Sequence, residues 1–343
     1  MTNNRTIPQP RTTGILYIGA LIPLILVVTS YFGIFNTNHN NMSEIKNVIL
    51  IGAGGNLGPS ILDAFLEDGS FNVSVLTRES SSSTFPSSVK VHKADYNSID
   101  SLKAAFQGQD AVLSFVGGTA IGDQEKLIDA AIAAGVKRFL PSEYGSNTPN
   151  PKVVEIVPIF KGKLGAVDYL KKKESEISWT SVITGPFFDW GLKVGFLGFD
   201  FKNKKASLVD DGKGTFSATN LNQIGKSLIK ILQKPEETKN TYVYVSSFET
   251  TQRDILAAVE KITGDKYTTE NASSKDLEKD GKEKLAKGDF SSIPILIKSA
   301  AFGEQNLGDS TPEGLWNEKL GLQKESFEDS IKAAISGKLL GEK

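Results

Sequence analysis

The residues with the clearest chemical potential form one loop, Gly52-Ala53-Gly54-Gly55-Asn56-Leu57-Gly58. The apolar run Asn47-Val48-Ile49-Leu50-Ile51 precedes it. Pro59 to Glu67 follows, with Ile61, Leu62, Phe65 and Leu66 at helical spacing. A buried strand, a glycine turn and a helix in that order make a dinucleotide cradle. Gly52 permits the tight turn, Gly55 lets the backbone approach a pyrophosphate, and Gly58 lets the helix pack on the strand. Gly54, Asn56 and Leu57 complete the loop, and the helix N-terminus offers free N–H groups to phosphate.

The end of the second strand selects the nucleotide. Phe71 to Leu76 reads as that strand, and Thr77-Arg78 closes it, about twenty residues beyond Gly58 where an acid would hold the ribose 2′-hydroxyl of NAD. A guanidinium suits a 2′-phosphate instead, so the expected cofactor is NADP(H). Glu79 follows at once and would repel that phosphate if it pointed inward. The hydroxyls of Ser80 to Ser83 can add hydrogen bonds.

Other chemistries are excluded by composition. The chain has no cysteine and only two histidines, His39 and His92, so thiol catalysis, disulfides and a histidine-rich metal site are out; no metal ligands are expected. His92 lies in the alternating run Val89-Lys90-Val91-His92 and reads as a strand residue. A net charge of −1 offers no basic field for nucleic acid. A small-molecule substrate is the expected partner.

The elements that must position the loop alternate regularly. Strands are expected at 47–51, 71–76, 89–91, 111–116, 138–141 and 179–183, with helices at 59–67, 98–106, 124–134 and from about 160 to 173. Ser98 is a candidate helix cap and Gly135 a helix stop. Such alternation predicts an α/β fold, a Rossmann doubly wound parallel sheet with a smaller C-terminal substrate domain. The expected organisation is an N-terminal hydrophobic segment and linker at 1–43, an NADP-binding Rossmann domain at 44–185, and a smaller substrate-binding region at 186–343, partly interleaved with the first. Within it, 221–232 and 253–262 read as helices, 241–246 as a strand, and 268–287 as a polar, charged stretch.

Gly14 to Phe35 carries no charge and would span about 33 Å as a helix, enough for a bilayer core. A membrane anchor through residues 14–35 is therefore one reading, with a signal peptide a second. The third is translation from Met42, the only methionine besides Met1, which leads directly into the first strand and would leave a cytoplasmic protein.

Gly52, Gly55 and Gly58, with Val75-Leu76-Thr77-Arg78 and Gly135-Val136-Lys137-Arg138-Phe139-Leu140-Pro141-Ser142-Glu143-Tyr144-Gly145, resemble the NmrA-like family and, within it, the isoflavone reductase-like reductases. Asp210-Asp211-Gly212-Lys213-Gly214 and Asn222-Gln223-Ile224-Gly225 are also similar. The resemblance implies hydride transfer from NADPH to a small, apolar or aromatic substrate. It implies a catalytic lysine, matched here by Lys161 in Lys161-Gly162-Lys163-Leu164-Gly165-Ala166, to orient the cofactor or act as general acid–base. The family's paired arginines have no counterpart here. Nor does the tyrosine that ordinary short-chain dehydrogenases carry four residues before the lysine, where Val157 stands; Tyr169 and Lys173 share that spacing late in a lysine-rich helix. The same family name covers regulators that sense NADP(H) without chemistry and act through a protein partner. Tyr144, after the fifth strand, is expected to line the nicotinamide pocket. Phe187, Phe188 and Trp190, after the sixth, would form an aromatic substrate wall or sit in the core.

Overall fold

The computed structural model describes residues 44–342. The anchor, signal-peptide and start-site readings fall outside the described residues. Among the described residues, no helix is long and apolar enough to cross a membrane.

Seven strands form one parallel sheet: β1 (Asn47–Ile51), β2 (Asn72–Arg78), β3 (Lys90–Ala94), β4 (Ala111–Ser114), β5 (Arg138–Leu140), β6 (Ser178–Ile183) and β10 (Thr241–Tyr244). Their spatial order is β10-β6-β5-β4-β1-β2-β3. The central strands β1 and β4 are almost wholly buried because helices cover both faces. The helices Ile99–Phe106, Gln124–Ala133 and Lys161–Lys172 pack on the face carrying Ile49, Ile51, Val112 and Phe139. Strand alternation sends Val48 and Leu50 to the opposite face. Helix Gly58–Asp68 packs against Leu221–Gln233, which brings the C-terminal half back onto the nucleotide half.

Local signals set the helix ends. Ser98 Oγ accepts from the Ser101 N–H at 3.2 Å, so Ser98 caps its helix. Gly69 and Gly264 end theirs in left-handed conformation. Thr251 and Asp254 form a reciprocal capping box that starts helix Gln252–Thr263.

Two smaller sheets complete the molecule. β8 (Lys205–Val209) pairs with β7 (Phe199–Asp200) and β12 (Thr268–Ala272); β9 (Thr215–Ala218) pairs with β11 (Phe248–Thr251). An aromatic core of Phe188, Phe199, Phe216, Phe248 and Phe302 lies among them. The stretch 268–287, expected only as polar, contains β12 and the helix Ser274–Ala286. β12 is nearly all exposed, and the helix carries only Leu277, Gly281 and Leu285 on its inner side, so the stretch shows little apolar periodicity.

Arg138 opens β5 and is fully buried. Its Nε donates to Ser178 Oγ at 2.8 Å, Nη1 to Thr180 Oγ1 at 2.8 Å and Thr238 Oγ1 at 3.2 Å, and Nη2 to the Pro235 carbonyl at 2.6 Å. One guanidinium thereby ties β5 to β6 and to the segment that leads into β10. Burial lowers its pKa to about 10, against the raising influence of Glu236.

Candidate functional site

The sheet reverses its winding between β1 and β4, and a crevice opens there beyond their carboxyl ends. It holds a cavity of ≈ 380 Å³. Gly52, Gly54 and Gly55 line one side; Thr77, Arg78, Ser81 and Ser83 line another; Phe115 to Gly117 form the third.

The loop is shaped by two steric demands. Gly52 has φ +84°, and a Cβ there would stand 2.7 Å from the Phe115 carbonyl oxygen. A Cβ on Gly58 would stand 2.4 Å from Ala53 Cα. Gly58→Ala is therefore expected to lower stability by about 1–3 kcal/mol through overpacking, read as a lower denaturation midpoint. Leu57 is buried and Gly58 packs on Ala53, so these two support the loop rather than line the cavity; Asn56 is exposed at its rim. No side chain caps helix Gly58–Asp68, leaving its first N–H groups for a ligand.

The residues present fit a phosphorylated dinucleotide. Thr77 Oγ1 is buried in the cavity wall without a hydrogen-bond partner. Arg78 is exposed beside it, and among the described residues it forms no ion pair. Ser81 and Ser83 add hydroxyls. Tyr96 closes the base of this side, its hydroxyl donating to the Leu76 carbonyl at 3.2 Å.

A second group of side chains lies past β5, joined to the cavity through Phe115 and Val116. The Tyr144 ring packs on Phe115 at 5.1 Å between centroids, and Ser142 Oγ donates to the Val116 carbonyl at 2.7 Å. Gln124 Oε1 accepts from the Ser142 N–H at 2.7 Å and pins the loop. Tyr144 is buried, its hydroxyl unpartnered, and its φ of 24° is left-handed. Burial pushes its phenol far above the ordinary value, and Glu143 adds to this.

The lysine at this group is Lys163, while Lys161, the residue matched to the family's catalytic lysine, lies outside it. Lys161 is exposed on the outer face of its helix. Lys163 is buried, its Nζ donating to the Glu143 carbonyl and lying 5.1 Å from the Phe160 ring centroid. Burial pulls the Lys163 amine below the usual lysine value, while Glu143 opposes it. Burial also pushes the Glu143 carboxyl up to about 7, against the pull of Lys163 and a 2.8 Å hydrogen bond from Thr148. The pair is therefore a buried acid and base whose pKa values are drawn together.

The aromatic residues after β6 divide between the two alternatives, core and site side. Phe188 is fully buried, 4.7 Å from Phe248 and 5.3 Å from Phe327, and belongs to the C-terminal core. Phe187 is half-buried against Trp190 and stays at the carboxyl end of β6. Tyr169 instead donates to Asp129 at 2.6 Å, and Lys173 pairs with Glu176 at 3.0 Å, so the chance Tyr-x-x-x-Lys spacing serves helix contacts. His92 sits on β3.

A parallel sheet with a glycine cradle at its switch point defines a Rossmann-type nucleotide-binding protein. The chain belongs to the NmrA-like family, whose model matches residues 44–288. It is 35% identical over 295 residues to oxidoreductase aprR of Aspergillus flavus, covering 84% of this chain and 99% of that one. It is 32% identical over 286 residues to oxidoreductase poxI of Penicillium oxalicum, covering 81% and 90%. Its fold is similar to that of leucoanthocyanidin reductase from Vitis vinifera, solved with NADPH, at a TM-score of 0.68 and 19% identity, covering 84% of this chain and 99% of that one.

Proposed function

We propose that this protein is an NADP(H)-dependent reductase that passes hydride to a small apolar or aromatic acceptor, with Lys163 as its acid–base residue. The observation that carries the reading is the buried Lys163 amine, fixed on the Glu143 carbonyl and joined to the glycine-loop cavity through Tyr144 and Phe115. Relatives named as oxidoreductases, and a similar fold solved with NADPH, support it.

In this reading residues 44–185 hold the cofactor and 186–343 complete the substrate side. NADPH, when bound, supplies the hydride. The glycine loop and the uncapped helix hold the pyrophosphate, and Thr77 and Arg78 hold the 2′-phosphate. Tyr144 and Phe187 give the acceptor apolar contact, with Phe115 behind Tyr144. The Lys163 ammonium orients the nicotinamide ribose or gives its proton to the acceptor, because burial makes proton release near neutral pH less costly.

Arg78→Ala tests the cofactor assignment. A charge-assisted contact of about 1.5–3 kcal/mol corresponds to about 10- to 100-fold. The NADPH dissociation constant is expected to rise by that factor, with NADH binding changed by less than about twofold. Calorimetric titration of both nucleotides reads this directly, and equal losses would refute the assignment.

A further inference from the structure

We propose that Glu143 is the positioning residue of the lysine site: its backbone carbonyl fixes the Lys163 amine, and its buried, half-partnered carboxyl serves as that amine's counter-charge. Its role in turnover rests on the reductase reading above. Glu143 is fully buried and its backbone carbonyl accepts from Lys163 Nζ, which places the carboxyl of the same residue in the amine's dry surroundings. Oε2 accepts from the Thr148 hydroxyl at 2.8 Å, and Oε1 has no partner. A carboxylate so poorly hydrogen-bonded, in so dry a place, depends on a neighbouring cation for its own ionisation.

The other groups that face it do not supply that cation. Tyr144 lies beside it on the same loop, with an unpartnered hydroxyl. Tyr242 and Tyr244 approach from β10, and both phenols are raised by burial and further by Glu143. The Tyr244 hydroxyl is spent on Asn147 at 3.2 Å, and Asn147 in turn donates to Glu313 at 3.0 Å. The three phenols are neutral and Glu313 is one more acid, so none of them is a cation. Lys163 is the cation that these contacts leave to Glu143, and the charge states of the two groups rise and fall together. As pH rises the carboxyl ionises and helps the lysine keep its proton; without that carboxylate the ammonium is lost at lower pH.

Two readouts test this. In the full-length protein labelled with [¹³C,¹⁵N]lysine, the Lys163 signal is identified by its loss in Lys163→Met and followed through pH. Glu143→Gln keeps the backbone carbonyl and an acceptor for Thr148 but removes the charge. Its Lys163 titration midpoint is expected about one pH unit lower or more, with Glu143→Asp restoring most of the shift. In turnover, the alkaline limb of kcat should move down with it, while KM for NADPH stays within about twofold. An unmoved midpoint, or a uniform fall in kcat with an unchanged pH profile, would overturn the role. If Glu143→Gln does not fold, Thr148→Val provides the same test. Losing the hydroxyl that stabilises the carboxylate must also lower the lysine midpoint, and no change again overturns the role. The nuclear magnetic resonance titration reads the pair whether or not an acceptor is found. Failure of the reductase reading would instead appear as NADPH binding without turnover.

Discussion

Lys163→Met is expected to lower kcat by about 10²- to 10⁴-fold, the usual worth of a positioned acid–base group. Methionine keeps most of the stem packing next to Phe160 and removes only the charge and its bond to the Glu143 carbonyl. The glycine loop, Thr77 and Arg78 are untouched, so the NADPH dissociation constant should change by less than about tenfold. Lys161→Ala, on the exposed face of the same helix, should leave kcat within about twofold. Steady-state kinetics of the two variants side by side therefore separates the two lysines. A loss in Lys161→Ala alone would favour Lys161, the residue to which the family resemblance points, and equal losses in both would contradict the assignment to Lys163.

The second large effect concerns stability. Arg138→Ala is expected to cost about 3–5 kcal/mol, because it strips donors from a buried network. Thr180 and Thr238 would still bond to backbone carbonyls, but the Pro235 carbonyl would lose a 2.6 Å partner and Ser178 a 2.8 Å one. A cavity the size of a guanidinium would remain between β5 and β6. Urea denaturation followed by circular dichroism should show a lower midpoint, and an unchanged midpoint would mean that the network contributes little. The nucleotide loop lies on β1, two strands away in the sheet, so protein that remains folded should still bind NADPH.

The nucleotide half was legible in the sequence because its signals are local. A strand buried on both faces must be apolar throughout, as Val48 to Ile51 is. A turn against the Phe115 carbonyl must be glycine, as Gly52 is. Lys161 and Lys163 lie in different surroundings for a reason that is also physical. Two residues along a helix turn the side chain by about 200°, so the step from Lys161 to Lys163 goes from solvent to interior. The sequence did hold a clue: Lys163, Ala166, Val167 and Leu170 are the buried residues of that helix, spaced as one apolar stripe with a lysine at its head. Phe188 is a similar case. It and Leu192 share one face of a short helix and both enter the core, which leaves Phe187 at the site side. Glu143 carried no local signal, since its importance comes from contacts made by other elements. The C-terminal half was least legible because its small sheets pair distant segments, such as β8 with β12, and β12 has no buried side to its pattern.

Hydride transfer itself is the most direct measurement. NADPH deuterated at the transferable position is incubated with aromatic enones, ethers and carbonyl compounds, and the products are examined by mass spectrometry. The wild-type protein is predicted to place one deuterium in at least one product, and Lys163→Met at equal NADPH occupancy is predicted to lose that transfer by at least about 10²-fold. Saturable NADPH binding by the wild type with no deuterium in any product, or full transfer by Lys163→Met, would contradict the account.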